Sequence, residues 1–148
     1  MKKKLLFFEL IIFTLGFVYS CSADDEPDAY FNRVSISVKS TDWTWVYNKN
    51  YANEGYFIAT KSVPEITDYI FDYGVVTFYT VFEDGVKSAL PYSRTIGYTF
   101  DGSTDRGYYT ENVSCEFYPG KVSFIIETSD LKETELDLSR VFEIGMVW

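Results

Sequence analysis

Between residues 33 and 39 the chain alternates without a break, with Val34, Ile36 and Val38 set against Arg33, Ser35, Ser37 and Lys39. Successive side chains of a strand point to opposite faces, so this period of two predicts a β-strand with one face in a core. The pattern returns along the chain, and its repetition constrains the fold more than any other property. Residues 56–61 form a second such run. Residues 74–82 are apolar on both faces, Val76, Phe78 and Phe82 against Val75, Tyr79 and Val81, as expected of a central strand. Ile96, Tyr98 and Phe100 alternate next. Val113, Cys115 and Phe117 follow within a strand at 108–118, with Asn112, Ser114, Glu116 and Tyr118 opposite. Val122, Phe124 and Ile126 make another strand. Phe142, Ile144, Met146 and Trp148 share one face of a last strand at 141–148.

Turn residues separate these runs. Asp84-Gly85 is a hairpin signal that places residues 86–92 antiparallel to the preceding strand. The Gly-rich stretch Asp101-Gly102-Ser103-Thr104-Asp105-Arg106-Gly107 is expected to link two strands, and Pro119-Gly120 turns one strand into the next. Seven to eight short strands punctuated in this way predict an all-β, antiparallel β-sandwich, with a small closed β-barrel as the alternative. One short helix is expected near 67–73, bridging the two sheets. Ile66 and Ile70 are four apart, Thr67 can cap the first turn, Asp68 suits its dipole, and Gly74 offers a left-handed stop. The acidic, Leu-spaced segment 130–138 is expected to be a loop or a single helical turn.

The N-terminal segment follows a different grammar. Lys2, Lys3 and Lys4 precede an apolar run over residues 5–18, interrupted only by Glu9, and Val18-Tyr19-Ser20 lead into Cys21. This is the arrangement of a secretory signal, and the run is shorter than the roughly 20 apolar residues a retained spanning helix needs. The expected organisation is a signal peptide at 1–20, an acidic tether at 21–29 and one domain at 30–148. An ordinary signal peptide cut nearby, with Cys21 a bystander, is the alternative.

Residues 1–26, with Cys21 followed by Ser22, Ala23, Asp24, Asp25 and Glu26, resemble the lipoprotein leaders of Bacteroidota, in which such a polar and acidic stretch resembles a surface-export signal. The resemblance implies a chain lipidated on Cys21, held in the outer membrane and displayed outward. A second resemblance spans most of the remainder. Val63-Pro64-Glu65-Ile66-Thr67-Asp68, Gly74-Val75-Val76 with Tyr79, Leu90-Pro91-Tyr92 and Pro119-Gly120-Lys121-Val122 are similar to a group of small Bacteroidota lipoproteins of unknown function and compact β-sandwich form. That group brings no agreed active site. Phe71 and Tyr73 are bulkier than the polar residues usual before its glycine.

Charge narrows the partners. Of 13 basic and 22 acidic residues, the leader holds three Lys and Glu9, which leaves 10 against 21, a net charge of −11. Phosphate backbones need a basic footprint, so nucleic acid is not an expected partner. Attachment to a membrane falls to the lipid. With Cys21 acylated, Cys115 is the remaining thiol, and its place in an apolar alternation predicts a core position.

Candidate sites follow from residue type. Trp43, Trp45, Tyr47 and Tyr51 lie among Asn48, Asn50 and Asn53, a combination that can stack sugar rings; the same aromatics can equally line a core face. Asp101 and Asp105 offer oxygens to Ca²⁺ but lack the further ligands such an ion takes, and a surface turn accounts for them as well. The chain has no His, and it has neither a phosphate loop nor a Gly-x-Ser-x-Gly elbow, so no catalysis and no cofactor are expected. The expected role is a lipid-anchored surface binding module, for glycans through the aromatic segment. The alternative is a structural or protein-interaction lipoprotein whose aromatics serve as core.

Overall fold

The computed structural model describes residues 29–47, 55–99, 106–129 and 138–148. The described residues form two antiparallel sheets. One contains β1 (Phe31–Val38), β9 (Arg140–Val147), β4 (Val75–Val81) and β5 (Lys87–Ala89), in that spatial order. The other runs β2 (Thr44–Tyr47), β3 (Gly55–Val63), β8 (Gly120–Thr128), β7 (Arg106–Tyr118) and β6 (Tyr92–Thr99). The molecule is an all-β sandwich; the barrel alternative fails because no ladder joins the two sheets into a closed ring among the described residues. Nine strands are present there against the seven to eight expected, because the aromatic segment supplies β2 as a strand of its own.

The alternations do the work expected of them. Val34, Ile36 and Val38 of β1 turn inward while Arg33, Ser35 and Ser37 face out. Phe142, Ile144 and Met146 of β9 are fully buried, as are Val122, Phe124 and Ile126 of β8. Phe124 and Phe142 stack face to face, with centroids 3.8 Å apart and planes 8° from parallel, and so pin the middle of one sheet to the middle of the other. Each such side chain stabilises the fold by about 1.5–3 kcal/mol relative to exposure, which makes this row the centre of the core.

Two tight turns need a left-handed residue and have glycine there. Gly85 has φ +81° and closes a three-residue connection in which Phe82 N donates to Val86 O at 2.9 Å and Asp84 Oδ1 accepts from Val86 N. Gly120 has φ +78° after Pro119, the pairing that a type II turn requires. The chain departs from expectation just beyond the first of these turns. Residues 86–92 do not all pair with β4: the ladder covers Lys87–Ala89, and Leu90 N reaches Phe78 O at 2.8 Å. Pro91 has no N–H to extend it. Tyr92 therefore opens β6 in the opposite sheet, against Val113 of β7.

α1 (Asp68–Tyr73) connects the sheets where the sequence placed it, and Thr67 Oγ1 accepts from Ile70 N at 3.2 Å. Its end differs from expectation. Gly74 has φ −88°, an extended conformation, so it is not a left-handed stop. Glycine is needed for space instead: a Cβ there would lie 2.7 Å from Ile70 O and 3.1 Å from Val147 O. Val75, expected in a doubly apolar central strand, is 62% exposed on the outer face of β4. Of the segment at 130–138, only Leu138 is among the described residues, and it is buried.

Candidate functional site

A short 3-10 turn at Ser40–Asp42 carries the chain from β1 to β2. Asp42 Oδ2 accepts from Lys39 N at 2.8 Å and from Lys61 Nζ at 2.6 Å, and these bonds, the lysine's first, hold its carboxyl below the usual carboxylate range. The turn delivers Trp43 and then β2 onto β3, with Trp45 opposite Phe57 and Tyr47 opposite Gly55.

The three described aromatics of this segment do not form a flat platform. Trp43 packs against the core and its Nε1 donates to Leu138 O at 2.7 Å, a side chain to backbone bond between the approach to β2 and the approach to β9. Trp45 also packs against the core, edge-on to Phe57 with centroids 4.7 Å apart. Its ring lies so close over Gly55 that a Cβ there would be 2.6 Å from Trp45 Cζ2. Tyr47 is 65% exposed and stands at 85° to Trp45. Tyr51, with Asn48, Asn50 and Asn53, lies outside the described residues, as do Cys21, Ser22, Ala23, Asp24, Asp25, Glu26, Asp101 and Asp105.

Cys115 is half-buried against the core, as its alternation predicted, and burial pushes its thiol up to about 11. It is protonated at neutral pH and a poor nucleophile there.

Sequence reasoning passed over a second group, which the fold gathers at the opposite end of the strands from α1. Glu111 of β7 is fully buried. Its Oε1 accepts from Arg94 Nε at 3.0 Å and from the Tyr92 hydroxyl at 3.2 Å, both on β6. Arg94 Nη2 stands 3.0 Å from the same oxygen. Its Oε2 accepts from Arg140 Nη2 at 3.1 Å, at the start of β9 in the other sheet. A buried carboxylate is costly unless paired and hydrogen-bonded, and this one takes both guanidiniums and a phenol. Burial first, and then the Glu111 charge, raise the Tyr92 hydroxyl above the ordinary tyrosine value.

The signal for this group was present as parity. Glu111 is in step with Val113, Cys115 and Phe117 on the inward face, and Arg94 is in step with Tyr92, Ile96 and Tyr98. An acid and a base at inward positions of neighbouring strands must meet or destabilise the core. Arg140 was not in any alternation that pointed to it.

Above the carboxylate lies an open cleft of about 490 Å³, lined by Val81, Phe82, Glu83, Asp84, Arg94, Ser139 and Arg140. Arg94 covers the Phe82 ring, with Cζ 5.3 Å from its centroid. Two guanidiniums face two rim carboxylates over the Glu111 charge, so the lining offers no excess of positive charge to an anion. The arrangement ties β6 and β7 to β9 by charge-assisted bonds. Among the described residues no three Cys, Asp or Glu side chains gather closely enough to hold a metal ion, and no helix is long and apolar enough to cross a membrane.

No protein-family model matches this chain, nor does any curated sequence or solved structure.

Proposed function

We propose that this chain is a non-catalytic lipoprotein of the bacterial outer membrane, anchored by lipid on Cys21 and displayed at the cell surface. In this proposal it acts by contact with another component of the envelope, and the aromatics at Trp43 and Trp45 serve as core. The leader supports the anchor: a basic start, an apolar run and a cysteine followed by Ser22-Ala23-Asp24-Asp25-Glu26, a series that resembles leaders of Bacteroidota lipoproteins. A diacylglyceryl group with an amide-linked acyl chain makes such an attachment durable where a single chain would not.

The observation that carries the choice between binding platform and structural aromatics is the placement of the two tryptophans. Trp43 spends its indole N–H on Leu138 O, and Trp45 is set edge-on against Phe57 over Gly55. A sugar platform needs two or more open faces turned the same way. Within the segment, glycan capture would rest on Tyr47 alone among its described rings, and Tyr47 stands at 85° to Trp45. A glycan array tests the choice together with thermal melting of Trp43→Ala and Trp45→Ala. The expected result is no glycan signal from the parent protein and a large drop in Tm for both variants. Glycan binding that both variants lose at unchanged Tm contradicts it.

A further inference from the structure

The outer face of the four-stranded sheet carries an apolar row that the sandwich does not cover. Phe31 of β1 pairs with Val147 of β9, and Val147 pairs with Val75 of β4, so the three side chains lie side by side across three strands. They are 67%, 40% and 62% exposed. The next row inward opens with Arg33, Gly145 and Thr77, so the apolar row sits at the sheet's end. α1 ends beside it: Gly74 packs against Val147 O, and Tyr69 and Tyr73 project from one face of the helix at a spacing of four, both exposed, with rings 5.2 Å apart. Five exposed apolar or aromatic side chains thus gather at this end of the domain.

Its position in the chain sets what lies near it. β1 and β4 both run antiparallel to β9, so the starts of β1 and β4, and α1 with them, share one end of the sandwich. That end is where the chain enters from Cys21. Eight residues, 22–29, separate Cys21 from Tyr30. Fully extended, the nine steps from Cys21 to Tyr30 reach no more than roughly 32 Å. A lipid on Cys21 therefore keeps this end within a few nanometres of the bilayer at all times. Tyrosine, with an apolar ring and a polar tip, is a residue that settles at the membrane–water interface. Weak contacts suffice when a tether holds the local concentration high. The acidic surface, including Asp68 and Asp72 on the flank of α1, gives the domain no attraction of its own to an anionic bilayer, so contact depends on the tether.

We infer that Phe31, Val75 and Val147, with Tyr69 and Tyr73, form a membrane-facing patch that seats the anchored domain on the bilayer carrying its lipid and turns the opposite end, with the Arg94–Glu111–Arg140 cleft, away from it. This rests on the anchor proposed above. The test uses the full-length protein purified from membranes and reconstituted into phosphatidylcholine vesicles containing a nitroxide-labelled lipid. A polarity-sensitive fluorophore is placed by Val75→Cys in the patch or by Glu83→Cys at the far end. Tyr73→Cys serves in place of Val75→Cys should that variant not fold by circular dichroism. The intact mass of each sample reports acylation of Cys21. The expected result is acylated protein whose label at 75 is quenched by the nitroxide lipid and whose label at 83 is not. Acylated protein with equal quenching at both positions, or with none at 75, overturns the patch and leaves the anchor standing. An emission shift at 75 that grows with protein density and not with nitroxide lipid assigns the patch to a second copy, which also overturns it. Protein without acyl mass overturns the anchor itself.

Discussion

Glu111 Oε2 accepts a hydrogen bond from Arg140 Nη2 at 3.1 Å, and this contact joins the two sheets by charge where Phe124 and Phe142 join them by stacking. Arg140 is 16% exposed at its side chain and Glu111 not at all, so the bond is shielded from water. Removing one member of a buried pair leaves the other uncompensated, which is worse than losing the attraction. Glu111→Gln removes the buried anion that Arg94 and Arg140 share and is expected to lower stability by about 3–5 kcal/mol. Chemical denaturation of the variant checks this, and a change below about 1 kcal/mol, the range of surface pairs, contradicts the burial argument.

Gly55→Ala is expected to destabilise the protein by about 1–3 kcal/mol, the usual cost of overpacking. The added Cβ would stand 2.5 Å from Val46 O and 2.6 Å from Trp45 Cζ2, and β2 must shift to admit it. Tryptophan fluorescence should report the displacement of Trp45 alongside the drop in Tm. An unchanged Tm with an unchanged spectrum would show that Trp45 does not lie over Gly55.

Cys115 should resist thiol reagents at pH 8. Burial holds its folded pKa at about 11, above the ordinary 9.0. A raised pKa means that the folded state holds the proton more tightly. The associated stability is complete below pH 9 and is lost as pH rises through about 11. Labelling of the native protein with a chromogenic disulfide, compared with labelling in denaturant, measures both ends of this window. Rapid native labelling at pH 8 would contradict the placement of the thiol against the core.

Asp42 and Glu143 act in the opposite direction. Lys61 Nζ at 2.6 Å from Asp42 and Lys87 Nζ at 2.7 Å from Glu143 hold both carboxyls below their ordinary values. A lowered pKa contributes stability that is present above the ordinary carboxylate value and lost as pH falls through the folded one. Both groups are solvent-accessible, so the effect is modest and screened by salt. Lys61→Met should raise the Asp42 titration midpoint in a carboxyl-detected NMR titration; an unmoved midpoint would exclude the pair in solution.

The fold was legible where one local rule decided it. Val34, Ile36 and Val38 have no competing role, and Asp84-Gly85 and Pro119-Gly120 each allow few backbone paths. The helix is legible in Thr67, Ile66 and Ile70, but the need for glycine at 74 is not, since it lies in the approach of Ile70 O and Val147 O, which only the tertiary structure shows. The exit of Tyr92 to the second sheet is not legible in sequence, because alternation reports a face and not a partner strand. The aromatic segment could be read two ways because parity alone cannot distinguish an inward ring from a shielded one. In the structure Trp43 meets Leu138, far along the chain, and Trp45 meets Phe57 on the neighbouring strand, contacts that parity does not report. Glu111 is hard to read from sequence because a charged residue in an amphipathic strand is ordinarily outward, although its step with Val113 and Cys115 places it inward.

Lipid on Cys21 is the premise of both the surface location and the membrane-facing patch, and mass spectrometry of the N-terminal peptide from the membrane-extracted protein tests it most directly. The predicted result is a peptide that begins at Cys21 and carries diacylglyceryl on the sulfur. An unmodified N-terminus at any other residue would contradict it.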